Sequence, residues 1–116
     1  MITLTTEWRE DDFFNGILRG KLSSDCPGVT VVSNAAGIPP LNIMHGAFVI
    51  RNTYNHYPEG TIHLIFISSE GTGEHPHLLV RSRNHWFLGA DNGMFNLILN
   101  TQSDLIISLD NHDNDD

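Results

Sequence analysis

The segment GTIHLIFISSEGTGEHPHLLV, in the second half of the chain, restricts the possible folds more than any other. Every second residue from Ile62 to Phe66 is apolar, and Ile65 and Ile67 make the opposite face of the same strand apolar too. A strand with two apolar faces is typical of the middle of a parallel sheet that helices cover. Because ligands bind at the carboxyl ends of such strands, we expect function in the loop at residues 68–77.

The rest of the chain alternates between predicted strands and helices. This order predicts an α/β layered domain with a central mixed, largely parallel sheet flanked by helices. We expect residues 1–109 to form one such domain and residues 110–116 to be a disordered acidic tail. The predicted elements are a strand at 2–6, a helix starting at Asp11 or Asp12, a strand at 29–32, a helix at 41–54, the buried strand, a hairpin at 77–82 and 85–88, a short apolar segment at 94–99 and a strand at 105–109.

The first helix is predicted to carry an apolar stripe along one side. The stripe consists of Phe14, Leu18 and Leu22, with Phe13 and Ile17 beside it. In the second predicted helix, apolar residues also recur at helical spacing, among them Met44, Ala47 and Phe48.

Composition excludes several classes of partner. Six Lys and Arg against fourteen Asp and Glu, a formal charge of -8, cannot form a surface that follows nucleic-acid phosphates. No apolar run is long enough to span a bilayer, and the acidic first twenty residues do not resemble a secretory signal. We therefore expect no nucleic-acid or membrane partner and a cytoplasmic location. The single cysteine, Cys26, cannot form an intrachain disulfide.

The loop after the buried strand contains acids and imidazoles that suggest a metal site. Glu70, Glu74, His75 and His77 are residue types that bind zinc and other divalent ions. Their spacing fixes no complete ligand set, so a small metal-binding protein is the weakest of the functional hypotheses.

A second group of acids follows the first predicted strand. Glu7, Glu10, Asp11 and Asp12 lie where the strand ends and the helix begins. Carboxylates at this position complement the helix dipole. The first strand-to-helix turn of an α/β sheet is also a plausible place to bind ligand hydroxyls such as a ribose diol. Both interpretations remain open on the residues alone.

Several motifs together resemble the N-terminal domain of the S-adenosylmethionine hydroxide adenosyltransferases, which are related to the fluorinating and chlorinating adenosyl enzymes. The resemblance covers residues 2–99. The motifs are ITLTTEW, DDFFNG, the glycine-lysine pair of the first helix, IPPLNIMHGAFVIRNTYNHYPEGTIHL, LLVRS and FLGADNG.

This resemblance implies binding of S-adenosylmethionine or adenosine, and release of adenosine and methionine when water attacks the ribose C5′. It implies that Glu7 and Asp11 hold the ribose hydroxyls and that Asn92, in FLGADNG, also contacts the substrate. Ser68 and His75 occupy the positions on the nucleophile side. No cofactor is implied other than S-adenosylmethionine itself as substrate or ligand, and the expected assembly is a homotrimer.

The chain departs from the family pattern at catalytic positions. Glu7 and Arg9 replace an aspartate and a glycine, Ser68 replaces an aspartate, and His75 replaces an arginine. The family's C-terminal domain, which completes the site across a trimer interface, is expected to be missing. These departures predict weak or no activity for this chain alone, or an inactive binding and oligomerisation module.

Overall fold

A computed structural model of the 116-residue chain describes residues 1–67, 76–100 and 103–109. Strands and short helices alternate through the first half, as the sequence predicts. The elements are β1 (Ile2–Thr6), α1 (Phe13–Asp25), β2 (Val31–Ala35), α2 (Ile43–Thr53), a 3₁₀ turn (Tyr54–His56), β3 (Ile62–Phe66), β4 (His77–Ser82), β5 (His85–Ala90), α3 (Met94–Leu99) and β6 (Leu105–Ser108).

The strands form one mixed sheet in the order β2-β1-β3-β5-β4-β6. β1 pairs in parallel with β2 and β3, and β3 pairs in parallel with β5. β4 is antiparallel to both of its neighbours, β5 and β6. The predicted fold class, a largely parallel mixed sheet flanked by helices, is therefore confirmed.

The helices divide between the two faces of the sheet. α1 packs its Leu18 and Leu22 against a small cluster around Leu4 on one face. α2 and α3 cover the other face, where Ile50 and Phe87 belong to a larger core. β3 contributes apolar side chains to both clusters, which explains why its sequence is apolar on both faces.

The inward face of α1 is narrower than the sequence predicts. Asp12 caps the helix, its Oδ1 accepting a hydrogen bond from Phe14 N–H at 2.9 Å. Leu18 and Leu22 are half-buried, as predicted. Phe13, Phe14 and Ile17 are exposed by 71%, 47% and 49%, so the predicted apolar stripe extends beyond the side of the helix that the sheet covers. At 100° per residue, Phe13 and Ile17 lie on the side of the helix away from Leu22.

α2 approaches the sheet closely through small residues. Gly46 and Ala47 are buried, and a side-chain carbon on Gly46 would collide with Ile67. Met44 and Phe48 recur at helical spacing as predicted, but they are exposed by 73% and 62%. Helical spacing alone therefore identified the helix and not the side that faces the sheet.

The predicted hairpin between β4 and β5 is present. Its two turn residues, Arg83 and Asn84, have φ values of 52° and 65°. Two successive positive φ values are the geometry of a type I′ turn, which matches the twist of the strands it joins.

A buried polar chain crosses the sheet beneath α2. Thr3 Oγ1 lies 2.7 Å from His63 Nδ1, and His63 Nε2 lies 3.1 Å from His85 Nδ1. Both imidazoles are buried beside the edge of the Tyr54 ring. Burial and the neighbouring His85 lower the pKa of His63 from 6.5 to about 4, and burial lowers the pKa of His85.

This pair predicts loss of stability in acid. The neutral form of His63 contributes fully to the free energy of unfolding above pH 6.5, and that contribution is lost as the pH falls from 6.5 towards its folded pKa of about 4. From the pKa difference, the loss is on the order of 2–3 kcal/mol. Urea unfolding of the wild type and of His63→Gln measures it, because glutamine does not titrate.

The exposed His56 supplies the matched control. His56→Gln should keep the acid dependence of the wild type, whereas His63→Gln should flatten it. An equal slope in all three proteins would show that the buried pair does not control acid stability.

Candidate functional site

The carboxyl ends of β1, β2, β3 and β5 meet at one edge of the sheet, because these four strands are parallel. This is the edge at which α/β sheets bind ligands. Of the predicted site residues, Glu7, Asp11 and Asn92 lie in segments that leave this edge. The two predicted catalytic residues, Ser68 and His75, lie outside the described residues.

Glu7 connects the end of β1 to the loop that precedes α2. Its backbone N–H donates to Phe66 O at 3.1 Å, and its Oε2 accepts a hydrogen bond from Leu41 N–H at 2.9 Å. Leu41 has a φ of 63°, a left-handed conformation that is unfavourable for a leucine. The Glu7 carboxylate thus stabilises a strained loop at the edge where a ligand would bind.

Further backbone hydrogen bonds fix the same loop against β1. Gly37 N–H donates to Trp8 O at 2.7 Å, and Ile38 N–H donates to Thr6 O at 3.1 Å. With the Leu41 contact, three bonds hold residues 37–41 beside the end of β1. The site therefore has a defined wall on this side.

Asp11 is exposed and forms an ion pair with Arg9. Arg9 Nε lies 3.2 Å from Asp11 Oδ1, with the two side chains exposed by 80% and 73%. A pair so exposed contributes at most about 1 kcal/mol, so a ligand group can replace Arg9 at little cost. Arg9, Glu10 and Asp11 line one side of a shallow groove that Ala36 and Gly37 close on the other.

Asn92 connects the start of α3 to the end of β3. Its Nδ2 donates to Ile67 O at 3.1 Å, and its Oδ1 accepts a hydrogen bond from Met94 N–H at 3.2 Å. Gly93, which follows, has a φ of 92°, a conformation that favours glycine. The described contacts of Asn92 therefore place the end of the buried strand relative to α3.

An aromatic cluster at this edge was not among the predicted site residues. The Trp8 ring stacks on Phe66 with centroids 5.1 Å apart and lies 5.8 Å from the Phe14 ring. Phe14 in turn contacts Phe13 at 4.6 Å. The parallel register, which places Thr6 opposite Phe66, was the signal that could have identified the Trp8–Phe66 contact. Exposed aromatic rings beside hydrogen-bonding acids suit a ligand with a flat ring and hydroxyl groups.

A second cleft, of about 290 Å³, lies between α3 and the strands β4 and β6. Its walls are mainly apolar, with Leu78, Phe95 and Ile106 among them and Asp91 at its margin. None of the described site residues lines it. The carboxyl edge of the sheet is the better candidate because acids, aromatic rings and the hydrogen-bonded loop at residues 37–41 all lie along it.

Within residues 1–67, 76–100 and 103–109, no group of three or more His, Cys, Asp and Glu side chains could hold a metal ion. Three of the residues behind the metal hypothesis, Glu70, Glu74 and His75, lie outside these ranges. In the same part of the chain, no helix has the length and apolar character needed to cross a bilayer.

Comparison with known proteins gives a family match along nearly the whole chain. The model of the SAM hydroxide adenosyltransferase N-terminal domain, where SAM is S-adenosylmethionine, matches residues 2–116. The (R)-S-adenosyl-L-methionine hydrolase of Methanocaldococcus jannaschii is 25% identical over 103 residues, which are 84% of this chain and 39% of the relative. The protein of the same name from Thermus thermophilus is 25% identical over 87 residues, 75% of this chain and 34% of the relative. The chain thus spans well under half the length of these relatives.

Solved structures share the fold. An uncharacterized conserved protein from Thermotoga maritima matches 96% of this chain and 43% of its own, with a TM-score of 0.87 and 16% identity. A conserved hypothetical protein from Thermus thermophilus matches 93% of this chain and 46% of its own, with a TM-score of 0.79 and 21% identity. At these identities the likeness establishes the architecture alone.

The contacts of Asn92 predict a structural effect of its removal. Asn92→Ala removes a donor to Ile67 O and an acceptor for Met94 N–H, which should lower the free energy of unfolding by about 2 kcal/mol. Chemical denaturation measures the change. Asn96→Ala, at an exposed position of α3, is the matched control and should cost much less. Equal losses in the two variants would contradict the bracing role of Asn92.

Proposed function

Since this chain belongs to the S-adenosylmethionine hydroxide adenosyltransferase family, whose N-terminal domain it matches, we propose that it binds S-adenosylmethionine or adenosine at the carboxyl edge of its parallel strands. The family match over residues 2–116 is the observation that carries this proposal. The two relatives named as (R)-S-adenosyl-L-methionine hydrolases support the choice of ligand.

The proposed reaction is a displacement at the ribose C5′ carbon. A water oxygen forms the new bond to C5′ while the bond from C5′ to the sulfonium sulfur breaks. The sulfur keeps the bonding electrons and leaves as the neutral thioether of methionine, and the water loses a proton to give adenosine. The protein contributes by holding the attacking water in line with the breaking C5′–sulfur bond and by limiting the contacts of that water with other water molecules. No further cofactor takes part in the proposal.

We assign the ribose hydroxyls to Glu7 and Asp11. Both residues lie at the end of β1 or in the segment leading to α1, and Asp11 lines the groove. Asn92 is the third proposed substrate contact. The exposed aromatic rings of Phe13 and Phe14 lie at the same edge and suit the adenine ring.

We propose that activity is weak or absent in this chain alone. Ser68 and His75 replace the acid and the arginine that the family resemblance implies for orienting water. The family resemblance implies that a second domain completes the site, and the chain spans only 39% and 34% of the two relatives. A homotrimer in the cytoplasm is the proposed setting.

An inactive binding and oligomerisation module is the alternative. The feature that favours it is the presence of Ser68 and His75 at positions where the family resemblance implies an aspartate and an arginine. The two proposals differ in turnover and agree on ligand binding. Calorimetry with S-adenosylmethionine and with adenosine tests the shared part, and chromatographic detection of adenosine separates the two.

Removing the proposed ribose contact should weaken binding. Asp11→Ala should raise the dissociation constant for adenosine about tenfold, which corresponds to one lost charged hydrogen bond of roughly 1.4 kcal/mol. Calorimetry measures the change, and Asp25→Ala, at the far end of α1, is the matched control. No binding by the wild type, or equal affinity in the wild type and Asp11→Ala, would refute the assignment.

Restoring the family residues should increase turnover. The double change Ser68→Asp and His75→Arg reintroduces a carboxylate and a guanidinium on the nucleophile side. We expect adenosine release at least tenfold above that of the wild type and of each single change, since the two groups orient one water together. If ligand binding persists and the double variant releases no more adenosine than the wild type, the alternative module is favoured.

A further inference from the structure

The most deeply buried residue of α1 is polar. Of the thirteen residues of this helix, all of which the structure describes, Asn15 alone is buried, with 4% of its surface exposed. Leu18 and Leu22, the apolar side chains that pack against the sheet, are only half-buried. A buried amide loses its hydrogen bonds to water and needs partners within the protein. The contacts of Asn15 therefore show what its amide is for.

Asn15 binds the turn that precedes its own helix. Its Nδ2 donates to Arg9 O at 2.5 Å. The same carbonyl oxygen accepts the backbone N–H of Asp12 at 3.0 Å. Together the two bonds fix the turn at residues 9–12 against the first turn of α1. In the described part of the chain, the Asn15 side chain makes no other hydrogen bond.

Asparagine is an unfavourable choice at this position on stability alone. Its amide has two N–H donors and an acceptor oxygen, and Asn15 uses one donor. The unused groups have little access to water in a residue that is 4% exposed, which destabilises the fold. Asparagine is also a poorer helix former than alanine. A residue that breaks local preferences in this way is typical of a functional site.

The turn that Asn15 fixes forms one wall of the groove at the carboxyl edge. Arg9, Glu10 and Asp11 line that wall, and Ala36 and Gly37 line the other. The two walls are joined directly before the turn, where Gly37 N–H donates to Trp8 O at 2.7 Å. Hydrogen bonds thus fix the backbone on both sides of the groove.

The Asp11 carboxylate depends on this turn for its position. The Asp11 side chain is exposed by 73%, and its contact is the ion pair with the equally exposed Arg9. Packing does not hold so exposed a side chain, so the place of its carboxylate follows from the backbone that carries it. Hydrogen bonds weaken steeply with distance and angle, so a displaced turn would misplace Asp11 for recognition.

We propose that Asn15 is a positioning residue for ribose recognition. By binding Arg9 O, it holds the turn at residues 9–12 in the conformation that directs the Asp11 carboxylate towards the ribose hydroxyls. Asn15 does not line the groove and does not touch the ligand. The inference rests on the ligand proposed above and adds that recognition of the ribose hydroxyls requires Asn15, whereas contacts with the adenine ring do not.

Two nucleosides separate ribose recognition from other effects. Calorimetry with the full chain compares adenosine with 2′,3′-dideoxyadenosine, which lacks both ribose hydroxyls. Asn15→Ala should raise the dissociation constant for adenosine by roughly three- to tenfold, since the loss cannot exceed that of Asp11→Ala. Its dissociation constant for dideoxyadenosine should stay within about twofold of the wild-type value. A merely structural role would weaken both ligands alike.

A double variant tests whether Asn15 acts through Asp11. When Asp11 is already alanine, removal of Asn15 should change the dissociation constant for adenosine by less than about twofold. Two multiplying losses would instead show that Asn15 acts independently of Asp11, and would overturn the positioning role.

Stability is measured in the same variants by thermal unfolding. Asn15→Ala should keep its Tm within about 3 °C of the wild type, because better helix propensity offsets the lost hydrogen bond. Val80→Ala, in the core away from the groove, should lower the Tm by about 5 °C or more and leave adenosine binding unchanged.

Asn52→Ala is the matched control. Asn52 Nδ2 also donates to a backbone carbonyl, that of Phe48 at 2.7 Å, but on the exposed surface of α2. This variant should bind adenosine like the wild type. Equal weakening in Asn52→Ala or Val80→Ala would show that the loss in Asn15→Ala is not specific, and would overturn the inference.

The outcomes distinguish this inference from the proposed function. A wild type that binds neither S-adenosylmethionine nor adenosine refutes the proposed function and the role of Asn15 with it. If the wild type prefers adenosine to dideoxyadenosine and Asn15→Ala keeps the same preference, only the role of Asn15 is refuted. A wild type that binds both nucleosides equally would refute ribose recognition by Asp11 and hence the positioning role, while adenosine binding would stand.

Discussion

Parallel pairing of β3 with β1 and β5 is the interaction on which the remaining structure depends. Five residues of β1 lie in unbroken register with β3, from Ile2 opposite Ile62 to Thr6 opposite Phe66. Because β3 is covered by apolar groups on both faces, a shift by one residue would move His63 into the α1 face and Leu64 into the polar chain beneath α2. This register brings Trp8 against Phe66 and places the end of β1 beside the end of β3.

Short-range patterns predicted the elements well and their orientation poorly. The doubly apolar β3 and the Arg83–Asn84 turn were identifiable because strand period and turn geometry depend on neighbouring residues. The limits of the inward sides of α1 and α2 were not, because further apolar residues adjoin the side of each helix that faces the sheet. Ile17 and Met44 look like core residues at helical spacing, yet the sheet contacts Leu18 and Ala47 instead.

The position of the candidate site was predictable from the sequence, whereas its side-chain contacts were not. The edge of the sheet followed from strand order, and Glu7 and Asn92 lie in segments that leave that edge. The hydrogen bonds of these residues could not be predicted from the sequence. The one from Leu41 N–H to Glu7 joins residues 34 positions apart and depends on the left-handed conformation of Leu41. The roles of Ser68 and His75 remain predictions, since they rest on the family resemblance and lie outside the described part of the chain.

The hydrogen bond between Leu41 and Glu7 connects the proposed ribose contact to the conformation of the loop before α2. A carboxylate that already accepts the Leu41 N–H must share its charge with any ribose hydroxyl that it binds. A left-handed leucine would regain a more favourable conformation if that bond were released. If Glu7 binds a ribose hydroxyl as proposed, binding and the backbone conformation ahead of α2 would be thermodynamically linked, and Leu41 would report on the bound state without touching the ligand.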